Sequence, residues 1–116
     1  ESQFIEQIMV VGANEKFTAA LIVPDFEFLH SWCHIHSVKF RDNEDLIKMQ
    51  IIIDRYQKEV DKYNEDLGHI EQVKVFRLVA DNWTPDNGLL SPTQKLKRKK
   101  VREKYIPLLD DIYEKG

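Results

Sequence analysis

Two short apolar segments open the chain, residues 4–11 (Phe-Ile-Glu-Gln-Ile-Met-Val-Val) and 17–23 (Phe-Thr-Ala-Ala-Leu-Ile-Val), separated by Gly12-Ala-Asn-Glu-Lys16. Both are rich in β-prone residues, and the connection carries glycine and asparagine, so the pair predicts a β-hairpin. Pro24 closes the second strand because it has no amide hydrogen to offer a ladder. Asp25 then provides an N-cap for a short helix carrying Phe28, Leu29, Trp32 and Ile35.

From Asp42 the period changes. Leu46, Met49, Ile53, Tyr56, Val60, Tyr63 and Leu67 recur at spacings of three and four, which predicts one amphipathic helix of roughly five to six turns. Asp42 or Asn43 can cap its start, and Gly68 stands where a left-handed C-terminal residue is wanted. Asp54 to Lys58, Arg55 to Glu59 and Lys62 to Asp66 are four apart and can pair on exposed faces. Such a stripe can be a coiled-coil seam or can cover a sheet, and the neighbouring strands favour the sheet. Residues 73–79 (Val-Lys-Val-Phe-Arg-Leu-Val) read as a third strand. Asp81-Asn-Trp-Thr-Pro-Asp-Asn-Gly88 is dense in turn formers. Beyond it, residues 97–105 predict a helix interrupted at Pro107, with a last turn or two through Leu108, Leu109 and Ile112. The expected fold is α+β: a small sheet made of an N-terminal β-hairpin and a third strand, packed by a long amphipathic helix and shorter helices.

At 116 residues the chain fits one domain with a real core. Its 42% hydrophobic and 32% charged residues are those of a globular protein, which excludes disordered and collagen-like classes. The longest apolar run, residues 19–23, is far too short to span a bilayer and lacks a basic leader, so neither a transmembrane segment nor a signal peptide is expected. The single cysteine, Cys33, fits a reducing compartment. Net charge is −3, but it is segregated: residues 95–104 hold seven of the 17 basic residues and one acid, a balance of +6 against −9 elsewhere. A basic segment on an acidic body suits either a solvated helix face or a site that meets an anion.

Candidate chemistry is sparse. His30, Cys33, His34 and His36 cluster in sequence, and two of the histidines would share a helix face. The remaining histidine, His69, is remote, and Trp32 and Ile35 favour a packing role for the helix, so no metal ligand is assigned. No nucleophile elbow, phosphate loop or dinucleotide fingerprint occurs, and Asp110 and Asp111, being adjacent, would point apart on a helix. A non-enzymatic anion- or nucleic-acid-binding module remains the alternative reading of segment 95–104, although Tyr105 is its sole nearby aromatic for stacking bases.

One stretch is more specific. Trp83-Thr-Pro-Asp-Asn-Gly-Leu-Leu-Ser-Pro-Thr-Gln-Lys-Leu-Lys-Arg98, followed by Glu103-Lys-Tyr105, resembles the C-terminal end of long-chain fatty-acid CoA ligases of the adenylate-forming (AMP-binding) superfamily. Phe4-Ile-Glu-Gln-Ile-Met-Val-Val-Gly12 and Ala20-Leu-Ile-Val-Pro24 are similar to the hairpin that opens the family's small C-terminal domain. Ser91 stands where threonine is usual, and Gln94 where leucine is frequent. The resemblance implies that residues 1–116 form a mobile C-terminal lid domain, a fragment inactive alone and separated from a large N-terminal domain that holds most of the ATP and fatty-acyl sites. The hinge would precede Glu1.

It further implies that Lys95 enters the adenylation site, with Ser91, Pro92, Thr93, Lys97 and Arg98 supporting the phosphate-facing loop. ATP and magnesium would bind mainly through the absent domain, and CoA would be the co-substrate. Fatty acid, ATP, CoA and the N-terminal domain are the expected partners, and nucleic acid is not. The expected location is cytoplasmic, with peripheral membrane contact left open for the full-length enzyme. The added cations 97–102 have three open readings: contact with phosphate, contact with an acidic surface of the larger domain, or a structural or solubility role in solvent.

Overall fold

The computed structural model describes residues 2–114. Three strands form one sheet in the order β1 (Ile5–Val11), β2 (Thr18–Pro24), β3 (Val73–Leu78). The predicted hairpin forms: β1 and β2 are antiparallel, with Met9 opposite Leu21 and a register shift between Ile5 and Gln7. Pro24 is the last residue of β2 and pairs with Ile5, an end position where its missing amide hydrogen is tolerated. β3 runs parallel to β2, with Phe76 opposite Ala20. A parallel neighbour requires a long crossover, and residues 25–72 supply it.

The crossover contains α1 (Phe26–Ile35), α2 (Asn43–Leu46) and α3 (Gln50–Asn64). These pack on one face of the sheet, where Leu29, Cys33, Leu46, Ile52, Tyr56 and Val60 meet Ala20, Ile22 and Phe4. The other face carries α4 (Arg98–Lys104), α5 (Ile106–Tyr113) and the 83–90 turn, with Val101, Tyr105, Ile112, Trp83 and Leu90 against Met9, Val11, Ala19 and Leu21. Successive residues of a strand point to opposite faces, so the unbroken apolar run 19–23 is the mark of a central strand covered on both sides. All five of those residues have no accessible surface.

The long helix predicted from Asp42 is two helices. Asp42 caps α2, its carboxylate accepting from the Asp45 amide at 2.8 Å, but the chain turns at Ile47 and Lys48 and restarts at Gln50. Within α3, Ile52 rather than Ile53 joins Tyr56 and Val60 in the buried core, Ile53 being half-buried. The run Ile51-Ile-Ile53 could satisfy either phase, so periodicity alone chose the wrong one. Tyr63 is 46% exposed, and Leu67 lies beyond the helix.

Gly68 is not a left-handed cap: α3 ends at Asn64, and Gly88 is the glycine with positive φ among the described residues. The expected pair Arg55–Glu59 forms at 2.8 Å, whereas Lys62 approaches Glu59 at 3.9 Å and Asp54 accepts from Gln50 at 2.7 Å. Asp25 caps α1 through the Phe28 amide at 3.0 Å, but Ile35 is 74% exposed. The buried stripe of α1 is Leu29 and Cys33, and a residue two places after Cys33 falls on the opposite side of the helix. No helix among the described residues is long and apolar enough to cross a membrane.

Candidate functional site

The turn before the motif lysine is organised by Asn87. Its side-chain oxygen accepts from the amides of Thr84 (3.1 Å) and Leu89 (3.2 Å), its own amide donates to the Thr84 hydroxyl (3.2 Å), and its side-chain nitrogen donates to the Asn82 carbonyl (2.8 Å). Gly88 then takes φ +80°, a left-handed value that glycine adopts without a Cβ penalty. These constraints drive Leu89 and Leu90 into the core, where they are 6% and 2% exposed. Asn-Gly was legible as a turn; Asn87 as its fourfold hub was not.

From this base a narrow hairpin projects. Leu90 bridges Leu96 in antiparallel fashion, and the Lys97 amide donates to the Leu89 carbonyl at 3.0 Å. At the tip the Gln94 amide donates to the Ser91 carbonyl (2.8 Å), and the Ser91 amide donates to the Lys95 carbonyl (2.7 Å). This is a four-residue turn, 91–94, closed by a left-handed residue, Gln94 at φ 68°. Pro92 presets its own φ, and the Ser91 hydroxyl oxygen accepts from the Lys95 amide at 3.1 Å while lying 3.1 Å from the Thr93 hydroxyl. Ser91, Pro92 and Thr93 therefore build the turn itself, and Lys95 emerges exposed from its end.

The cations after Lys95 do not act alike. Lys97, Lys99 and Lys100 are exposed. Arg98 is exposed too, but its guanidinium donates to the backbone carbonyl of Val10 in β1. Lys104 stands 3.9 Å from the Asp81 carboxylate and over the Tyr105 ring. Beneath them a hydrogen-bonded chain runs from the core to the surface: Trp83 Nε1 donates to the Tyr105 hydroxyl (3.0 Å), which donates to Asp81 (2.9 Å). Burial pushes the Tyr105 phenol well above its ordinary range; donation from Trp83 opposes this, and the Asp81 carboxylate adds to it. Trp83 and Tyr105 are only 4% and 8% exposed, so neither offers a face for base stacking.

The histidine-rich segment is divided among separate contacts. His30 lies 2.7 Å from the Asn43 side chain and stacks on Phe40, His36 stacks on Trp32, and Cys33 is buried. Among the described residues, no group of three or more histidine, cysteine or acidic side chains is arranged to hold a metal ion.

Over 112 residues the chain is 34% identical to a Mycobacterium tuberculosis protein named long-chain-fatty-acid–CoA ligase FadD15, a match covering 96% of this chain and 19% of that one. It is 35% identical over 120 residues to human long-chain-fatty-acid–CoA ligase 6, covering 97% of this chain and 16% of the relative. The chain is homologous to the C-terminal part of the long-chain fatty-acid CoA ligases. It spans under a fifth of the length of these curated relatives.

No family model matches the chain. Among solved structures, the adenylation domain of a carboxylate reductase from Mycobacterium chelonae superposes with a TM-score of 0.65 at 26% identity, over 96% of this chain and 16% of that one. The A-PCP didomain of a carboxylic acid reductase from Segniliparus rugosus, in complex with AMP, gives 0.65 at 28% identity, over 99% and 14%. Ligase homologues and adenylation-domain neighbours thus agree on a segment of an adenylate-forming enzyme.

Proposed function

We propose that residues 1–116 are the mobile C-terminal domain of a long-chain fatty-acid CoA ligase, and that Lys95 is its contribution to adenylation. The parent enzyme activates a fatty acid with ATP to an acyl-adenylate and pyrophosphate, then transfers the acyl group to CoA. The large N-terminal domain of the same polypeptide supplies most of the ATP and fatty-acyl sites. Magnesium enters with ATP, held by phosphates and that domain. The observation that carries the reading is the placement of Lys95: an exposed ammonium at the end of a turn held by four hydrogen bonds, on a hairpin rooted in the core.

The chemistry suits that placement. Attack of a carboxylate on the α-phosphate brings two anions together and moves charge onto phosphoryl oxygens and pyrophosphate. A lysine ammonium bridging both offsets their repulsion and favours the transition state, provided it is delivered in register. Ser91, Pro92 and Thr93 fix the turn that delivers it, and Lys97 adds positive potential at its base. In the complete enzyme, Lys95→Ala is expected to slow adenylate formation at least a hundredfold while leaving thioester formation from preformed acyl-adenylate nearly intact. Equal loss in both half-reactions would refute the assignment.

A further inference from the structure

Each limb of the Lys95 hairpin has its own support. The first, residues 89–91, descends from the Asn87-centred turn and is sealed by Leu89 and Leu90. The second, residues 95–97, leads into α4, whose N-cap, Lys97, makes no side-chain capping bond. Leu96 packs against the sheet-side core, and across the next turn the burial of Val101 and the bond from Arg98 to the Val10 carbonyl, 88 positions earlier, return this limb to the sheet.

We infer that Arg98 is a positioning residue for Lys95: its guanidinium, bonded to the Val10 carbonyl, clamps the second limb of the hairpin to β1 and sets where the ammonium stands. The inference rests on the adenylation role proposed for Lys95. A planar guanidinium on a long stem suits the task, because a charged donor bonds a carbonyl more strongly than a neutral one and its fork is fixed in direction. The same end of the β1–β2 hairpin is gripped from α5, where the Tyr113 hydroxyl donates to the Phe17 carbonyl at 2.9 Å. The 91–95 turn and the β1–β2 connection are thereby tied into one body, and a change in that tie moves Lys95 without touching it. Arg98 is exposed like Lys97, Lys99 and Lys100, and differs from them in reaching the backbone of β1.

The test is a cycle in the full-length ligase: parent, Lys95→Ala, Arg98→Ala, the double variant, and Arg98→Lys. Arg98→Ala is expected to lower kcat for adenylate formation at least tenfold with KM for ATP within twofold, and to leave thioester formation from preformed acyl-adenylate within twofold. Arg98→Lys should recover most of the loss. The double variant should be no slower than Lys95→Ala alone, because a residue acting through Lys95 has nothing left to position.

Multiplicative losses, or equal loss in both half-reactions, would overturn the inference, as would an Arg98→Lys enzyme as slow as Arg98→Ala. If Lys95→Ala is slow and Arg98→Ala is not, only the role of Arg98 falls; if Lys95→Ala is itself unimpaired, the parent reading falls and takes the inference with it. Should Arg98→Ala fail to fold, Arg98→Gln and Arg98→Lys carry the same comparison.

Discussion

The side chain of Asn64 pairs on both edges with the backbone of Val73: its oxygen accepts the Val73 amide at 2.9 Å, and its nitrogen donates to the Val73 carbonyl at 3.0 Å. A primary amide has the donor and acceptor layout of a peptide group, so Asn64 acts as a single-residue strand partner. It ends α3 and starts β3 in one contact. Asn64→Ala would strand the amide and carbonyl of Val73, a residue 5% exposed, and is expected to destabilise the fold by about 1–3 kcal/mol. Asn64→Asp keeps the acceptor but loses the donor, and should fall between. Urea midpoints at fixed slope check the order.

Gln94 is expected to be a strained position. A side chain at φ 68° meets the steric penalty of the left-handed region, which glycine escapes. Gln94→Gly should leave stability unchanged or raise it by up to about 1 kcal/mol, because relief of strain is partly offset by the greater freedom of glycine in the unfolded chain. Gln94→Val should lower it by about 1–2 kcal/mol, since a branched Cβ tolerates this region poorly. In the complete enzyme the valine variant should also slow adenylation, as Lys95 follows directly. Thermal midpoints of the three proteins decide the first part and half-reaction rates the second.

Much of this architecture was written locally. A β-prone pair ended by Pro24, the Asp25 cap, the third strand and a helix stop near Pro107 each depend on a few adjacent residues, and each stands where the pattern placed it. The division of residues 43–64 into two helices was hidden because Leu46, Met49 and Ile53 keep the three-and-four spacing across the break, and only the sheet they cover decides which of Ile51, Ile52 and Ile53 faces inward. Lys95 could be singled out because its neighbours carry a motif. Its supports could not: nothing near Arg98 announces Val10, and nothing near Tyr105 announces Asp81 and Trp83, because those partners are chosen by the fold.

Three buried phenols should make the protein sensitive to alkali. Burial pushes Tyr56, Tyr105 and Tyr113 upward, with the Asp25 charge adding to the effect at Tyr56. A group whose pKa is raised in the folded state contributes stability that is complete below its unfolded value, about 10 for tyrosine, and is lost as pH rises toward the folded one. Denaturant midpoints should therefore hold to about pH 9 and decline beyond it, less steeply in Tyr56→Phe. Glu59 gives the opposite limb. Burial would raise its carboxyl, but hydrogen bonds from Ser2 and Arg55 and the Lys62 charge outweigh it and hold the pKa low. Its contribution is present above the ordinary glutamate range and is lost as pH falls through the folded value, so Glu59→Gln should flatten the acid decline.

Tyr105 joins the basic helix to the turn beneath the hairpin, and its hydroxyl serves two partners at once, buried Trp83 and exposed Asp81. It accepts from Trp83 Nε1 and donates to Asp81, whose carboxylate also faces the Lys104 ammonium. Tyr105→Phe preserves the ring packing but leaves the indole N–H without an acceptor in a site where Trp83 is 4% exposed, so the expected loss is about 1–3 kcal/mol. Asp81→Asn retains an acceptor for the phenol and removes an ion pair that is about half exposed, so its loss should stay below about 1 kcal/mol. If the hydroxyl acts as a link, Tyr105→Phe combined with Trp83→Phe should cost less than the sum of the single changes, because the second substitution removes the very donor the first leaves unpaired. Strict additivity in the denaturant midpoints would show that the two side chains contribute through packing alone.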